Sequence, residues 1–559
     1  MAQQQQNITI DAPGFHGLNT EDSPFQMDPG FALVADNAVV DELGRIGARE
    51  AFATYTEIVT IAYSPNVSMA TETKYLYRMG HGYIGGSLYV LATHAHLQYD
   101  ASGALVQEDY YIVRLDGTGM TSVAYPTLSY DSTLTDAHIV PFNDAIYIFS
   151  AQNAPLVFDG STITKLSADA GYLPPQDDSG TIAAELNGNV ALAAAGRLWV
   201  TGVNDDYSTI YYSDLLIAEQ WYDGKASPTD PQNTGGIIDV KEYWPTGGDD
   251  IIGMVEHNNF LVIFGRSSIL LYANINAADP AGTDGIYLAD SIPGIGCVSR
   301  DAIAATGSDV LFVDDSGVRS LGRTIQEKSV PIGDLSANVK GDITEMILAE
   351  PNKDISLFYV PNKNITVCLF SDTEQAYAIE MRRPSPTGGM KVTRWTDCVF
   401  KRGMYVEDGD DAYTLLAGKH GDGALEYDNY LEWTGNPYLF KYASPVFTFG
   451  QSVVQKFIKQ VDFTVVSTFI DAAAVVKWGY AGQLNYTANK TITAQVPALY
   501  NVAEFNVDTY GEGLNTIKRY RTNTKGSGAT ARIGLEVEIA GNSCAIQEAN
   551  IQTLLGRIY

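Results

Sequence analysis

Two histidines two positions apart, His94 and His96, are the pair in this sequence whose type and spacing come closest to metal ligands. Side chains on a β-strand alternate between its two faces, so both imidazoles would point to one side if this segment is a strand. A zinc site needs further histidine or cysteine ligands. No third histidine or cysteine stands nearby, and none of the four cysteines forms a C-x-x-C pair. We therefore predict that the chain holds no metal and no cofactor.

Adjacent aspartates flank several apolar runs and are the candidates for acid–base chemistry. They are the pairs Asp205 and Asp206, Asp249 and Asp250, and Asp314 and Asp315. Glycoside hydrolysis needs two carboxyl groups about 5–10 Å apart across a sugar, whereas aspartates beside turns commonly accept hydrogen bonds from nearby backbone amides. The sequence also lacks an H-E-x-x-H motif, a G-x-S-x-G elbow and a sialidase-type aspartate box. We therefore predict a protein without catalytic residues, which is not an enzyme.

Two further segments offer side chains that could bind a ligand. Asp408-Gly409-Asp410-Asp411 resembles part of a calcium loop, but the bidentate glutamate that such loops place later is missing. Aromatic residues between positions 207 and 244 could form a sugar or protein contact surface, although such residues more often pack in a β-core. These aromatic residues are Tyr207, Tyr211, Tyr212, Trp221, Tyr222, Tyr243 and Trp244.

The segment before residue 50 is dense in glycine, proline, asparagine, aspartate and serine. It begins with Gly17-Leu18-Asn19-Thr20-Glu21-Asp22-Ser23-Pro24, continues through Met27-Asp28-Pro29-Gly30, and includes Asn37 and Arg49. Such residues set turns and tolerate left-handed backbone, so we predict a shaped segment without helix. It has too little apolar content to fold alone and must pack on the C-terminal region or on a neighbouring subunit.

This string resembles the N-terminal signature of the tail nozzle proteins of short-tailed phages, also called the tail tubular protein B family. The resemblance continues at residues 296–303 and 314–318, at the strand that begins near Lys456, and at the terminal Gly556-Arg557. It implies that the motif residues of the N-terminal segment belong to an assembly platform. Those residues are Gly17, Leu18, Asn19, Thr20, Ser23, Pro24, Asn37 and Arg49.

In that family the N-terminal segment and a C-terminal β-sandwich build a platform, with a β-propeller between them in sequence. Six copies form a ring and tube below the portal and adaptor rings. The resemblance therefore implies a virion protein of the phage tail, made in the host cytoplasm. Its expected partners are its own copies in a homohexamer and the tail adaptor, with tail fibres or tip proteins as further candidates. Double-stranded DNA would pass through the tube without tight binding.

The charge of the chain fits such passage of DNA. The sequence holds 35 basic and 66 acidic residues among 559, a formal net charge of −31, and so acidic a surface repels nucleic acid and anionic lipid. The start, Met-Ala-Gln-Gln-Gln-Gln, has neither the basic nor the apolar region of a secretory signal. No apolar run is long enough for a membrane span. The four widely spaced cysteines indicate buried, reduced thiols.

The elements that would position these residues are short apolar runs bounded by turn residues, a pattern typical of all-β proteins. The runs come in pairs, such as residues 145–149 before residues 155–159, and the pairs recur at intervals of 47 to 63 residues. Propeller blades repeat at roughly 40–50 residues. We predict a β-propeller of six to eight irregular blades, with a generic antiparallel sandwich as the alternative. The positions that we take as equivalent are Tyr89, Tyr147, Trp199, Val262, Leu311, Phe358 and Tyr405.

Beyond residue 440 the runs lengthen and alternate between apolar and polar residues, as at residues 457–466 and 531–540. Period-two alternation puts one face of a strand in a core and the other in solvent, so we predict a β-sandwich in this region. The predicted domains are an N-terminal platform segment, a β-propeller with insertions, and a C-terminal sandwich that completes the platform. Their ranges are 1–50, 51–440 and 441–559.

A function of a different class competes with the tail nozzle. Propellers also serve as glycan hydrolases and glycan-binding lectins, and a virion can carry either. A ring with sixfold symmetry would favour the nozzle, whereas a monomer that cleaves glycans would favour the enzyme.

Overall fold

The structure is a computed structural model, and it is almost entirely β-sheet. It describes residues 5–57, 70–115, 120–121, 123–125, 130, 132–151, 153–166, 188–203, 205–218, 221, 234–245, 247–277, 284–327, 334–409, 411–418, 424–450, 453–467, 471–493 and 516–558.

The N-terminal segment forms several short strands without helix, as its turn residues predict. The first seven strands are Gln5–Asp11 (β1), Gly17–Leu18 (β2), Phe31–Ala32 (β3), Val34–Asp36 (β4), Ala38–Val40 (β5), Ile46–Ala48 (β6) and Phe52–Glu57 (β7). Within the segment, β2 runs parallel to β3, and β5 and β6 pair as an antiparallel hairpin. The other strands of the segment find their partners far along the chain.

Small antiparallel sheets follow one another along the middle of the chain. The strands in the part of the chain that forms the first four sheets are Thr71–Ile84 (β8), Ser87–Tyr99 (β9), Leu105–Leu115 (β10), Met120–Thr121 (β11), Val123–Tyr125 (β12), His138–Phe142 (β13), Ala145–Ser150 (β14), Asn153–Phe158 (β15), Ile163–Lys165 (β16), Val190–Ala194 (β17), Arg197–Thr201 (β18), Thr209–Tyr212 (β19), Gly236–Asp239 (β20), Gly253–His257 (β21), Phe260–Phe264 (β22), Ser268–Ala273 (β23) and Tyr287–Pro293 (β24). Each of the four sheets pairs its strands in chain order. Strand β11 lies between β10 and β12 along the chain but belongs to none of these four sheets, because it pairs with β7.

Three more sheets complete this series. Their strands are Ile303–Ala305 (β25), Val310–Asp314 (β26), Gly317–Ser320 (β27), Ile355–Val360 (β28), Ile365–Phe370 (β29), Gln375–Pro384 (β30), Met390–Thr396 (β31), Phe400–Asp408 (β32), Asp411–Gly418 (β33) and Ala424–Tyr427 (β34). The last sheet takes β7 as its fourth strand, because β7 pairs antiparallel with β34. A strand from before the first sheet thus completes the last one.

The first strands of these sheets contact one another in chain order, and β32 contacts β8 again. The sheets therefore close a ring around an axis, and the described residues form a β-propeller of seven blades. Seven lies within the predicted range of six to eight. Because β7 pairs along β34, the edge of β34 in the last blade is not left without a hydrogen-bonded neighbour.

Two of the positions taken as equivalent were assigned wrongly. Phe358 and Tyr405 lie on the first strands of the sixth and seventh blades, whereas the other positions, from Tyr89 to Leu311, lie on second strands. The first strand of the sixth blade is buried along almost its whole length, like the second strands, so its apolar run looks like theirs in sequence, whereas the first strand of the seventh blade is largely half-buried. The step from Leu311 to Phe358 therefore compares a second strand with a first strand, whereas the step from Phe358 to Tyr405 compares two first strands.

The C-terminal region forms the predicted sandwich. Its strands are Tyr438–Ala443 (β35), Val454–Ser467 (β36), Ala472–Tyr480 (β37), Tyr486–Ile492 (β38), Thr516–Asn523 (β39), Ala531–Ile539 (β40) and Cys544–Ile558 (β41). One sheet has the order β39-β36-β41-β6-β5, with β1 also paired to β41, and the facing sheet contains β4-β35-β40-β37-β38. Both ends of the chain therefore build the sandwich.

Strand β4 joins the sandwich to the propeller. It pairs antiparallel with β35 and parallel with β31 of the sixth blade, so blade and sandwich share one continuous sheet of nine strands. A single hydrophobic core continues across this junction, from Phe264 and Phe312 in the propeller to Phe463 and Val537 in the sandwich. The N-terminal segment thus packs on the C-terminal region of its own chain.

Among the residues that the structure describes, helix is limited to short segments. They are Leu321–Glu327 (α1), Lys340–Ala349 (α2) and the 3-10 turns Ser132–Asp136, Arg300–Ala302 and Ala337–Val339. In the described part of the chain, no helix has the length and apolar character needed to cross a membrane.

Candidate functional site

The first candidate site is the N-terminal motif. Gly17 and Leu18 lie buried in β2 against the sixth blade. Gly17 has a φ of +82°, and a Cβ atom there would lie 2.5 Å from the carbonyl oxygen of Val392. Only glycine combines this backbone conformation with so close an approach. Gly17 therefore lets the N-terminal segment lie directly on the propeller.

Asn19 organises the turn that follows. Its Oδ1 accepts the backbone N–H groups of Glu21 and Asp22, each at 3.1 Å, while its Nδ2 donates to Asp22 Oδ2 at 2.8 Å. Thr20 and Ser23 have exposed side chains, and Pro24 is half-buried. The backbone of this turn is fixed to the rest of the chain, since Thr20 N–H donates to a carbonyl of residue 338.

Asn37 connects three parts of the fold. Its Nδ2 donates to Thr396 Oγ1 on β31 and to the Leu439 carbonyl on β35, both at 3.1 Å. Its Oδ1 accepts the Thr396 N–H at 3.0 Å and Arg49 Nε at 3.1 Å. Asn37 has a φ of +50°, a left-handed conformation that asparagine tolerates better than most residues. Every hydrogen-bonding atom of this amide is therefore used within one chain.

Arg49 is a buried cation with a hydrogen-bond partner at each of its three guanidinium nitrogens. Its Nη2 lies 2.9 Å from Glu432 Oε1, and its Nη1 donates to the backbone carbonyl of Glu50. The guanidinium carbon lies 4.2 Å from the ring centroid of Phe52 and 4.4 Å from that of Tyr438. Asn37 and Arg49 therefore fasten the last blade, the sixth blade and the sandwich together. A role of the motif in contacts between chains stays a prediction.

The second candidate site, which the sequence analysis missed, is a cavity of about 540 Å³ at one end of the propeller axis. Its lining comes from the first strands of all seven blades, or from residues just before them, together with Tyr207 between two strands of the third blade. Because these positions meet only when the ring closes, the cavity is a product of tertiary structure.

Ion pairs span the floor of this cavity from blade to blade. Arg78 of the first blade binds both Asp136 beside the second blade and Asp301 beside the fifth. Arg300 also reaches Asp136, with Nη2 3.0 Å from Oδ1. Side chains from opposite sides of the ring thus meet at the axis. These ion pairs therefore cross the axis of the propeller at this end.

The network continues to the sixth and seventh blades. Arg402 places Nη2 2.9 Å from Asp301 Oδ2 and Nη1 2.7 Å from Asp354 Oδ1, while Lys401 Nζ lies 2.6 Å from Asp354 Oδ2. Burial opposes the charge of Asp301, but the surrounding arginines outweigh it and hold the pKa of this carboxyl well below its usual range. For Asp354, too, burial is outweighed by Arg402 and Lys401, and the pKa is lowered. Both carboxyl groups therefore stay ionised.

One segment of the sequence pointed to two residues of this ion-pair network. Residues 296–303, which bear part of the family resemblance, include Arg300 and Asp301. Nothing in the sequence links them to Arg78 or Arg402, which lie in other blades.

The aromatic segment divides between core and surface. Tyr212, Trp221 and Trp244 are buried, as the packing interpretation predicts. Tyr243 is 54% exposed, and Tyr207 lines the axial cavity. Tyr222 lies outside the described residues.

The histidine pair lies on β9 with both side chains buried. His96 Nε2 is 2.8 Å from Glu72 Oε2. Burial, aided by His96 and Lys74, lowers the pKa of His94 to about 3, so this ring stays neutral. Over the described residues, no group of three or more histidine, cysteine, aspartate or glutamate side chains is arranged to hold a metal ion. In the calcium-like loop, Asp410 falls outside the described residues.

Asp249 and Asp314 accept backbone hydrogen bonds at turns, as expected. Asp249 binds the N–H groups of Asp250, Arg266 and Ser267 at 2.8 to 3.0 Å. Asp314 accepts the N–H of Ser316 at 2.9 Å and is also paired with a buried arginine. These two carboxylates therefore hold turns in shape. Asp250 differs, because its side chain is exposed and lines the axial cavity.

Comparison with known proteins leaves the family of the chain open. No protein-family model matches the sequence, and no curated protein matches it. Among solved structures, the WD40 domain of Neurospora crassa Pan2 matches at 6% identity and a TM-score of 0.32, covering 64% of this chain and 90% of that one. Kluyveromyces lactis Hsv2 matches at 9% identity and a TM-score of 0.28, covering 58% and 100%. At such TM-scores these similarities carry no argument, and the propeller assignment rests on the strand pairing described above.

Proposed function

We propose that the chain is a structural protein of a phage tail. In this proposal it forms a homohexameric nozzle ring below the portal and adaptor, and the ring retains the genomic DNA and conducts it during ejection. The sandwich would seat the ring on the adaptor, and the acidic chain would offer DNA no extended cationic surface on which to stall.

One observation carries the proposal. Strand β1 pairs with β41, and β4 pairs with β35, so the two ends of the chain make a single sandwich beside the propeller. The resemblance to tail nozzle proteins implied such a joint platform, whereas a propeller enzyme or lectin has no general need of one. The ion pairs across the propeller axis add a constraint. A DNA channel would have to lie between subunits, on the axis of the ring.

The competing hydrolase hypothesis receives less support from the axial cavity. A glycosidase needs a general acid whose pKa is raised, so that it holds a proton near neutral pH. Asp301 and Asp354 have lowered pKa values because arginines surround them. Neither carboxyl group can therefore serve as that acid.

Sedimentation velocity and negative-stain imaging of the purified chain test the proposal. We expect a sixfold ring with about six times the 60.5 kDa mass of one chain. A chain that stays monomeric throughout the micromolar range would contradict the proposal. Deleting residues 1–45 is a poor test, because β1, β4 and β5 pair within the chain and the sandwich would lose strands.

Surface variants test whether the sandwich mediates the ring. Val453 and Ile517 project from the sandwich with exposures of 77% and 70%, and the double variant Val453→Asp/Ile517→Asp should weaken assembly because two apolar contacts become charged. Leu348→Asp on α2 is the matched control, since Leu348 is 74% exposed outside the sandwich. Rings that survive the double variant but not the control would place the contact on the propeller instead.

A further inference from the structure

We propose that the cavity at the end of the propeller axis binds a neutral sugar. This inference goes beyond the nozzle function, which requires no small ligand. It rests on the size of the cavity, on the side chains that line it, and on the way its charges are already paired.

The cavity has the dimensions and walls of a small-molecule site. Its volume of about 540 Å³ falls within the range of roughly 300–1,000 Å³ typical of ligand pockets. Two half-buried tyrosines, Tyr77 and Tyr207, line it. Burial raises the pKa of Tyr77 to about 12, so this phenol stays neutral. Aromatic rings with a polar tip offer an apolar face and a hydrogen-bonding group together, which suits the C–H face and hydroxyl rim of a sugar ring.

The polar lining matches hydroxyl groups. A hydroxyl donates one hydrogen bond and accepts up to two, so a site for several hydroxyls needs donors and acceptors side by side. Asp136 and Asp250 are acceptors, Asn189 and Asn352 supply amides, and Thr135 adds a hydroxyl, all on the cavity wall.

These groups are held in place before any ligand arrives. Asn189 Nδ2 donates to Asp136 Oδ2 at 2.7 Å, and Tyr207 Oη donates to Asn189 Oδ1 at 3.2 Å. Two arginines fix the Asp136 carboxylate, yet 49% of this side chain remains exposed. A fixed acceptor that is still accessible costs little conformational entropy on binding.

The charge pairing favours a neutral ligand over an anion. Each arginine of the cavity is paired with an aspartate, and so is Lys401. The remaining lysine of the lining, Lys353, donates its Nζ to the carbonyl of Ile347 at 2.6 Å. An anion would lie close to the aspartates that already neutralise the arginines and Lys401, and it would approach a chain of net charge −31. A neutral sugar meets neither obstacle.

Saturation-transfer NMR and calorimetry on the purified full chain test the inference. The neutral probes are lactose, maltose, cellobiose and N,N′-diacetylchitobiose, and the anionic probes are 3′-sialyllactose and inorganic phosphate, all at millimolar concentration. We expect transfer to at least one neutral disaccharide, with no release of reducing ends. Absence of transfer to every neutral probe would overturn the proposal, and so would binding of the anions alone.

Variants locate the binding. Asp250→Ala and Tyr207→Ala should each raise the Kd about tenfold, a change that corresponds to about 1.4 kcal/mol. The matched controls are Glu242→Ala and Tyr243→Ala, because Glu242 and Tyr243 are exposed on a nearby turn and do not line the cavity. Asp250→Ala keeps the test decisive if Tyr207→Ala fails to fold, since Asp250 is exposed. Equal losses in variants and controls, or no loss in either, would overturn the assignment. Ring formation is measured separately from sugar binding. The binding result can therefore be interpreted even if the chain forms no ring.

Discussion

Replacing Arg49 with methionine should lower the free energy of unfolding by about 3–5 kcal/mol, the usual cost of removing one partner of a buried ion pair. The side chain of Arg49 is 2% exposed, and that of its partner Glu432 is 12% exposed. Methionine keeps most of the apolar stem and removes the charge and the donors. The Glu432 carboxylate is then left in the protein interior without a counter-charge, and this desolvated anion dominates the expected loss.

Other contacts of Arg49 add to the loss without summing to a larger total. The rings of Phe52 and Tyr438 lose a cation at 4.2 and 4.4 Å, and the Glu50 carbonyl loses a donor. A second change, Glu432→Gln, removes the stranded charge. The double variant should therefore be more stable than Arg49→Met alone, and the full cycle with Glu432→Gln should give a coupling energy of about 0.5–3 kcal/mol.

Denaturant titration followed by tryptophan fluorescence measures these effects, because Trp395 lies beside Arg49 with its ring centroid 5.9 Å from the guanidinium carbon. Arg382→Met is the control, since Arg382 pairs with Glu42, whose side chain is 76% exposed. An exposed pair contributes only about 0–1 kcal/mol. An Arg49→Met loss no larger than that of the control would refute the reasoning. A variant of normal stability that no longer forms rings would instead assign Arg49 to assembly.

Three further predictions concern single groups. Burial, followed by repulsion from Asp428, raises the pKa of Glu426 to about 7 from 4.5. The folded chain therefore holds a proton on Glu426 more tightly than the unfolded chain does, and the free energy of unfolding falls as the pH rises from the ordinary pKa of 4.5 through 7. Glu426→Gln removes this ionisation, so it should stabilise the chain by about 2 kcal/mol above pH 7 and have little effect near pH 4. Equal effects in denaturant titrations at both pH values would contradict this. Gly17→Ala should cost more than about 1 kcal/mol, because the new Cβ meets the Val392 carbonyl as well as an unfavourable φ. Gly85→Ala is the control, because Gly85 has a φ of +57° with open space around it and so reports only the cost of the left-handed backbone. Equal losses of Tm in the two variants would argue against a steric contribution from the Val392 carbonyl. All four thiols are free and buried, and burial raises their pKa values. A thiol reagent should therefore label none of them in the native chain and four after denaturation, and rapid native labelling would disagree. The four are Cys297, Cys368, Cys398 and Cys544.

Much of the fold could be predicted from the sequence, because apolar periodicity reports which faces of a strand are buried. The alternating runs at 457–466 and 531–540 lie in β36 and β40 of the sandwich. The paired shorter runs lie in the blades, and the turn-rich N-terminal segment is free of helix in the described residues. These features depend on neighbours along the chain, so a single sequence contains them.

The partners of these elements were decided only by the tertiary structure. A buried run looks the same on the first strand of a blade as on the second, which is why Phe358 was assigned to the wrong strand, and Tyr405 followed from it at the same spacing. The axial network joins Arg78 to partners 58 and 223 positions away. The resemblance to tail nozzle proteins singled out Asn37 and Arg49, but their contacts at residues 396 and 432 appear only when the ring and the sandwich close. Local patterns record burial, whereas pairing between distant residues requires the folded chain.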